Sequence, residues 1–151
     1  MAGGGTTDYA IDIFHQAVQF GRYTCFLRPD TMLPMMYITD CINGTVQFLE
    51  TPDQALTQRV YNITADSFSP AQLAAAIRQK YDPSFDMTYS PDTRQDIADT
   101  WPATLDDSLA RRDWGWKHTL GTAGIVDAMW QGVAQQYQLA TASTQAATST
   151  P

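Results

Sequence analysis

Three glycines and two threonines stand directly ahead of an apolar-periodic segment in GGGTTDYAIDIF, residues 3–14. Gly3, Gly4 and Gly5 let backbone approach another group closely, and Thr6 or Thr7 is of the type that caps a helix. A glycine loop feeding a helix N-terminus presents unpaired N–H groups and a partial positive charge. That arrangement suits a carboxylate or a phosphate. The threonine hydroxyls add donors. Asp8 falls in the first turn, where an acid complements the helix dipole or, alternatively, meets an amine. Plain helix capping accounts for the same residues without any ligand. The loop is expected to be the middle of a site whose first half is missing.

Tryptophan is the second feature with chemical reach. Trp101 ends RQDIADTWP, beside the polar Arg94, Gln95 and Asp99, and Pro102 stiffens the exit. A large ring there either walls a pocket or plugs the surface. Trp114 and Trp116 flank Gly115 and are expected to anchor a helix end in the core. His15 reads as a helix-surface residue and His118 as part of a helix–loop connection, and their separation is no metal spacing. Cys25 and Cys41 are the only cysteines. Both lie in apolar stretches, so both are expected to be buried free thiols in a reducing compartment.

Several chemistries have no motif here. The lysines are Lys80 and Lys117, and neither has a tyrosine four residues before it. No GxGxxG, P-loop or GxSxG pattern occurs. A net charge of −7 disfavours nucleic acid and anionic membrane as partners. No apolar run approaches the ~20 residues of a membrane-spanning helix. With 44% apolar and 17% charged residues, the 151-residue chain has the composition of one globular domain.

The elements that must position these residues alternate. The spacing of Ala10, Ile13, Phe14, Ala17 and Val18 predicts a helix over 7–20, closed by Gly21. Residues 23–27, 35–38, 59–64 and 85–89 read as strands, the last with Phe85, Met87 and Tyr89 on one side. A helix over 39–50 is expected to bury Ile42, Val46 and Leu49. Ser69, Pro70 and Gln72 form a capping-box start for another, with Ala74, Ile77 and Tyr81 inward. Further helices are predicted over 93–101, from Asp106 or Asp107 to Trp114, and around Ile125, Met129 and Val133. Residues 140–151 are too poor in apolar bulk to fold and are expected to be a disordered tail after a domain spanning 1–139. The result is an α/β arrangement with few strands, which reads as part of a domain leaning on something absent.

Four blocks then carry a resemblance: GGGTTDYAIDIF, TMLPMMYITDCINGTVQFLETP, RVYNITADSFSPAQLAAAI and RQDIADTWPATLDDSLARRDWGWKH. They resemble the C-terminal half of short-chain-type L-threonine 3-dehydrogenases, members of the extended short-chain dehydrogenase/reductases (the NAD-dependent epimerase/dehydratase group). The likeness runs over about residues 3–120. It implies an incomplete, C-terminal part of a Rossmann-type fold, mainly the substrate-binding lobe. It implies an enzyme that oxidises L-threonine with NAD to 2-amino-3-oxobutanoate, in threonine catabolism. The glycine fingerprint and the catalytic Tyr and Lys of the family lie upstream, so no catalytic or cofactor-binding residue is assigned to this chain. Gly5 and Thr6 match loop positions that contact substrate, with Thr7 and Asp8 beside them. Trp101 matches a tryptophan that closes over substrate. The implied partners are L-threonine, a missing N-terminal cofactor domain or homologous subunit, and a second copy in a homodimer. The implied compartment is mitochondrial in a eukaryote and cytoplasmic in a bacterium.

Two departures stand out. Met32 replaces a usual Arg, removing a permanently charged planar donor. Gly44, inside a predicted helix, costs ~1 kcal/mol relative to alanine and reads as relaxed constraint, as do Gly121 and Gly124. Two rival functions are a non-catalytic or regulatory partner of a dehydrogenase, and a fragment of a nucleotide-sugar epimerase. Alone, the chain is expected neither to bind NAD nor to turn over threonine.

Overall fold

Local signals set most of the element boundaries in the computed structural model, which describes the backbone of residues 5–148 and the side chains of 5–140. Helix α1 (Tyr9–Phe20) buries Tyr9, Ile13, Phe14 and Ala17 and stops at Gly21, whose φ of 63° is the left-handed cap. Strand β1 (Arg22–Cys25) follows, then β2 (Leu33–Met35) and α2 (Ile38–Glu50). After a short 3-10 turn at Asp53–Ala55 come β3 (Asp66–Phe68) and α3 (Pro70–Lys80). The last elements are β4 (Asp86–Tyr89), α4 (Thr93–Ala98), α5 (Ser108–Trp114) and α6 (Thr122–Thr148). The Ser69–Gln72 capping box is formed in both directions, with Pro70 opening α3. Gly115 closes α5 at φ 74°.

The described strands form two separate pairs. β1 and β4 are parallel, from Arg22 opposite Asp86 to Cys25 opposite Tyr89. β2 and β3 are antiparallel, from Leu33 opposite Phe68 to Met35 opposite Asp66. The parallel pair turns Tyr23, Cys25 and Met87 inward and leaves Arg22, Thr24, Asp86 and Thr88 on an open face. The core joins α1, α3, α6 and both pairs through Phe14, Leu33, Leu73, Ile77, Phe85 and Val126. This is an α/β architecture, as the alternation of elements predicts.

Several expectations are corrected. No strand forms over 59–64. Val60 is exposed, Tyr61 turns toward Phe48 and Trp114, and the β2 partner is reached at residues 66–68. The second predicted strand ends at Met35, and Ile38 already opens α2. Helix α4 stops at Ala98, short of Trp101. Residues 140–148, read as disordered from composition, are helical in backbone because α6 runs on to Thr148, while 149–151 lie outside the described residues.

The largest correction concerns which way α2 faces. Ile42, Val46 and Leu49, predicted to be buried, are 54%, 46% and 75% exposed, and Ile38 beside them is 61% exposed. The inward residues are Asp40, Gly44 and Phe48, spaced four apart on the opposite side. Cys25 is buried as expected, but Cys41 is exposed because it rides on this reversed helix. Gly44 is no weak point. A Cβ there would stand 2.7 Å from the Trp116 ring and 2.8 Å from Ile63, so the missing side chain is what lets α2 approach the indole.

Candidate functional site

Two carboxylates, Asp40 buried and Asp66 half-buried, fix the frame of the site. Asp40, in the first turn of α2, accepts from the Thr119 and Leu120 amides, each at 3.0 Å, and from the Thr119 hydroxyl. Burial pushes its carboxyl up, but these donors outweigh burial and hold it below the ordinary aspartate value. Asp66, in β3, accepts from the Thr122 amide at 2.7 Å and the Thr122 hydroxyl at 2.9 Å, and these bonds also hold it low. Asp66 thereby satisfies the first turn of α6. The start of α6 is tied to β3 on one side and to α2 on the other.

That frame sets α6 against β2 and α1 around a cavity of ≈ 300 Å³. Thr7, Ala10 and Ile11 line it from the start of α1. Met35, Met36, Tyr37 and Ile38 line it from the β2–α2 junction, with Phe68 behind them. Ile125 and Met129 close it from α6. The lining is mostly apolar, and Thr7 and Tyr37 are its two hydroxyl-bearing residues. A small apolar chamber with a few convergent polar groups is the usual form of a small-molecule site. A broader depression of ≈ 440 Å³ lies over the open side of β1 and β4, lined by residues including Arg22, Thr24, Asp86 and Thr88. It meets none of the residues singled out from sequence.

The sequence-predicted site residues are only partly brought together. Thr7 is on the cavity wall. Gly5, Thr6 and Asp8 form the turn behind it, and Thr6 is buried. Neither threonine caps α1. Asp8 takes that position, and its carboxylate accepts from the Gly5 amide at 2.8 Å while its own amide donates to the Gly5 carbonyl at 3.2 Å. A substrate carboxylate aimed at the Gly5 amide would have to displace Asp8. A Cβ at Gly5 would stand 2.9 Å from the same carboxylate, so a larger residue there would make the Asp8 side chain shift.

Trp101 stands apart. It follows α4 and is 44% exposed, and it is not part of the cavity wall. Its polar neighbours hold the loop after β1. Gln95 accepts from the Arg28 amide at 2.7 Å and the Thr31 hydroxyl at 3.1 Å. Asp99 takes the Arg28 guanidinium in a forked pair at 2.7 and 3.1 Å. Trp116 is buried as expected, its indole N–H donating to Asp107 at 3.1 Å. Trp114 belongs instead to a half-buried cluster with Phe48 and Tyr61. Sequence reasoning missed the methionine pair Met35–Met36 and Met129 as wall residues. The available signal was the adjacency of two flexible, apolar side chains to Tyr37.

Among the described residues the strand-to-helix junctions carry no glycine-rich phosphate loop. Three strand-to-helix junctions are present, and none contains a glycine. Ser69 and Gln72 occupy the start of α3, and the Asp92 carboxylate caps α4, where a pyrophosphate would be repelled. Tyr37 precedes α2, and Asp40 lies in its first turn. Among the described residues no group of acids, histidines and cysteines is placed to hold a metal, and no helix is long and apolar enough to cross a membrane.

Comparison with known proteins gives a consistent set of relatives. The chain is 52% identical over 128 residues to the mitochondrial L-threonine 3-dehydrogenase of Bos taurus, which covers 84% of this chain and 34% of that protein. An L-threonine dehydrogenase structure from Phytophthora infestans superposes with a TM-score of 0.87 at 48% identity, covering 90% of this chain and 44% of that one. The holo form of a GalE-like L-threonine dehydrogenase from Cupriavidus necator gives 0.83 at 52% identity, covering 87% and 42%. The chain thus spans a third to a half of the length of these relatives. No family model matches it.

Proposed function

We infer that this chain, a homologue of the L-threonine 3-dehydrogenases in the NAD-dependent epimerase/dehydratase group, is the substrate-side portion of such an enzyme. The observation that carries this reading is the high identity over most of the chain against relatives more than twice its length. The cavity beside Thr7 supports it. Its size suits a small amino acid, and its apolar walls suit the threonine methyl group. Thr7 and Tyr37 would orient the polar end of the substrate. The Met35, Met36 and Met129 side chains would exclude water from the carbon being oxidised. Trp101 reaches this site only if its segment moves, which makes it a closing residue and not a fixed wall. The dinucleotide and the proton-accepting groups would be supplied by other polypeptide.

The test joins the cofactor-bearing part of the Cupriavidus necator enzyme to the front of this chain. The purified chain alone should form no NADH from L-threonine, whereas the joined protein should form it. Thr7→Val in the joined protein should raise KM for threonine roughly tenfold, the usual scale of one lost hydrogen bond to a charged group. A joined protein that binds NAD and unfolds cooperatively, yet leaves threonine untouched, would overturn the proposal. So would NADH formation by the chain alone.

A further inference from the structure

The segment that joins α4 to α5 carries Trp101 and is anchored at both ends. Residues 99–104 are exposed, whereas Ala98 before them and Asp107 after them are buried. At the far end, Asp107 accepts from the Trp116 indole N–H at 3.1 Å and from the Arg111 guanidinium at 2.7 and 2.8 Å. At the near end the hold runs through a buried amide. Gln95 is 4% exposed, and its side-chain oxygen accepts from the Arg28 amide at 2.7 Å and the Thr31 hydroxyl at 3.1 Å. Its side-chain nitrogen donates to Asp99 at 2.7 Å. Asp99 in turn takes the Arg28 guanidinium through both oxygens, and this bond with that from Gln95 holds its carboxyl below the ordinary aspartate value. A flipped amide would set N–H against N–H at Arg28 and oxygen against oxygen at Asp99. The network therefore admits one orientation of Gln95.

This hold connects two parts of the candidate site. Asp99 stands two residues before Trp101. Arg28 and Thr31 belong to the loop that runs into the buried Leu33 of β2, and from there into Met35, Met36 and Tyr37 on the cavity wall. An exposed ion pair adds little to folding stability. A forked pair backed by a buried amide fixes direction instead, because both of its bonds and the amide behind them must align together.

We propose that Gln95 and Asp99 are positioning residues: their hold on Arg28 ties the root of the Trp101 segment to the loop that builds the cavity wall, so that the ring pivots about Asp99 when it closes over the amino-acid substrate. This rests on the functional reading above, and it adds the groups that set where Trp101 lands. Without the fork the segment keeps its far anchor at Asp107 but loses its near one. The ring then approaches the cavity from scattered directions, and substrate is held less tightly.

The test has two arms. In the lone chain, the backbone order parameters of Thr100 and Trp101 should drop below about 0.6 in the Asp99→Ala variant, against values near about 0.85 in the wild type, and those of α3 should not change. The second arm uses the joined protein described above. There Asp99→Ala should raise KM for threonine roughly tenfold and leave kcat within about twofold. Arg28→Met should do the same, and the two together should be no worse than either alone. Arg28→Lys should fall between, because lysine keeps the charge and loses the fork. In a Trp101→Ala background, Asp99→Ala should have no further effect on KM. A residue with a merely structural role would lower the melting temperature and kcat and leave KM alone. Unchanged order parameters, an unchanged KM in an active joined protein, or an Asp99→Ala effect that persists without Trp101 would each overturn the proposal and leave the functional reading intact. A joined wild type that binds NAD and leaves threonine untouched sinks the functional reading, and the order parameters then decide by themselves whether Asp99 anchors the Trp101 segment.

Discussion

Asp40→Ala should cost about 3 kcal/mol of folding stability and lower the melting temperature by roughly 6–12 °C. The carboxylate accepts four hydrogen bonds from Thr119 and Leu120, and two of the donors are backbone amides of the segment leading into α6. Alanine leaves those donors without an acceptor beside a site that is 1% exposed. Asparagine should rescue little, because its amide nitrogen would face a backbone N–H. The pH dependence gives a second readout. A carboxyl held low in the folded state stabilises it fully above the unfolded aspartate value, about 3.9, and loses that contribution as pH falls through the lower folded value. Asp66 acts in the same direction. Wild-type stability should therefore fall on acidification below about pH 4, and the Asp40→Ala protein should show a shallower fall. Thermal melts across pH 2–7 check both (a range set roughly two units below and three above that value). An unchanged melting temperature in the variant would mean that Asp40 does not tie α2 to α6.

Gly44→Ala should destabilise the protein by roughly 1–2 kcal/mol, against the direction of helix propensity. Alanine in an exposed helix interior would be the better residue by about 1 kcal/mol. Here the added methyl would meet the Trp116 ring at 2.7 Å and Ile63 at 2.8 Å. The Trp116 ring is 2% exposed and its N–H is held by Asp107, so it has little room to give way. Gly44→Leu should lift α2 off the indole altogether, with a change in tryptophan fluorescence. Denaturant melts and emission spectra measure both effects. A stabilised alanine variant would show that the helix and the ring are less closely packed than described.

Both predictions sit on α2, which is where sequence reasoning failed. Its sequence offers two candidate faces. One is Ile42, Val46 and Leu49, which periodicity selects as buried. The other is Asp40, Gly44 and Phe48, an acid, a gap and a ring. The second face is buried because its partners are specific and distant. Thr119 and Leu120 bind the acid, Trp116 fills the gap, and Tyr61 and Trp114 meet the ring. None of these contacts is visible from the local pattern. The same holds at the site. The turn before α1 was legible, but its anion-binding character depended on whether the Gly5 amide was vacant, and Asp8 occupies it.

The sequence by itself determined what depends on neighbours a few residues away. The Ser69–Gln72 capping box, the left-handed glycines at 21 and 115, the buried stripe of α1 and the inward side of β4 are all of this kind. Each is fixed by backbone sterics or by a hydrogen bond closed within one turn. The tertiary structure alone decided the direction in which α2 faces, the β2–β3 register, the placing of Trp101 outside the cavity and the gathering of Thr7, Met36 and Met129 around one cavity. Those outcomes depend on groups far apart in the chain, where the burial of a carboxylate with three donors outweighs the burial of an aliphatic stripe.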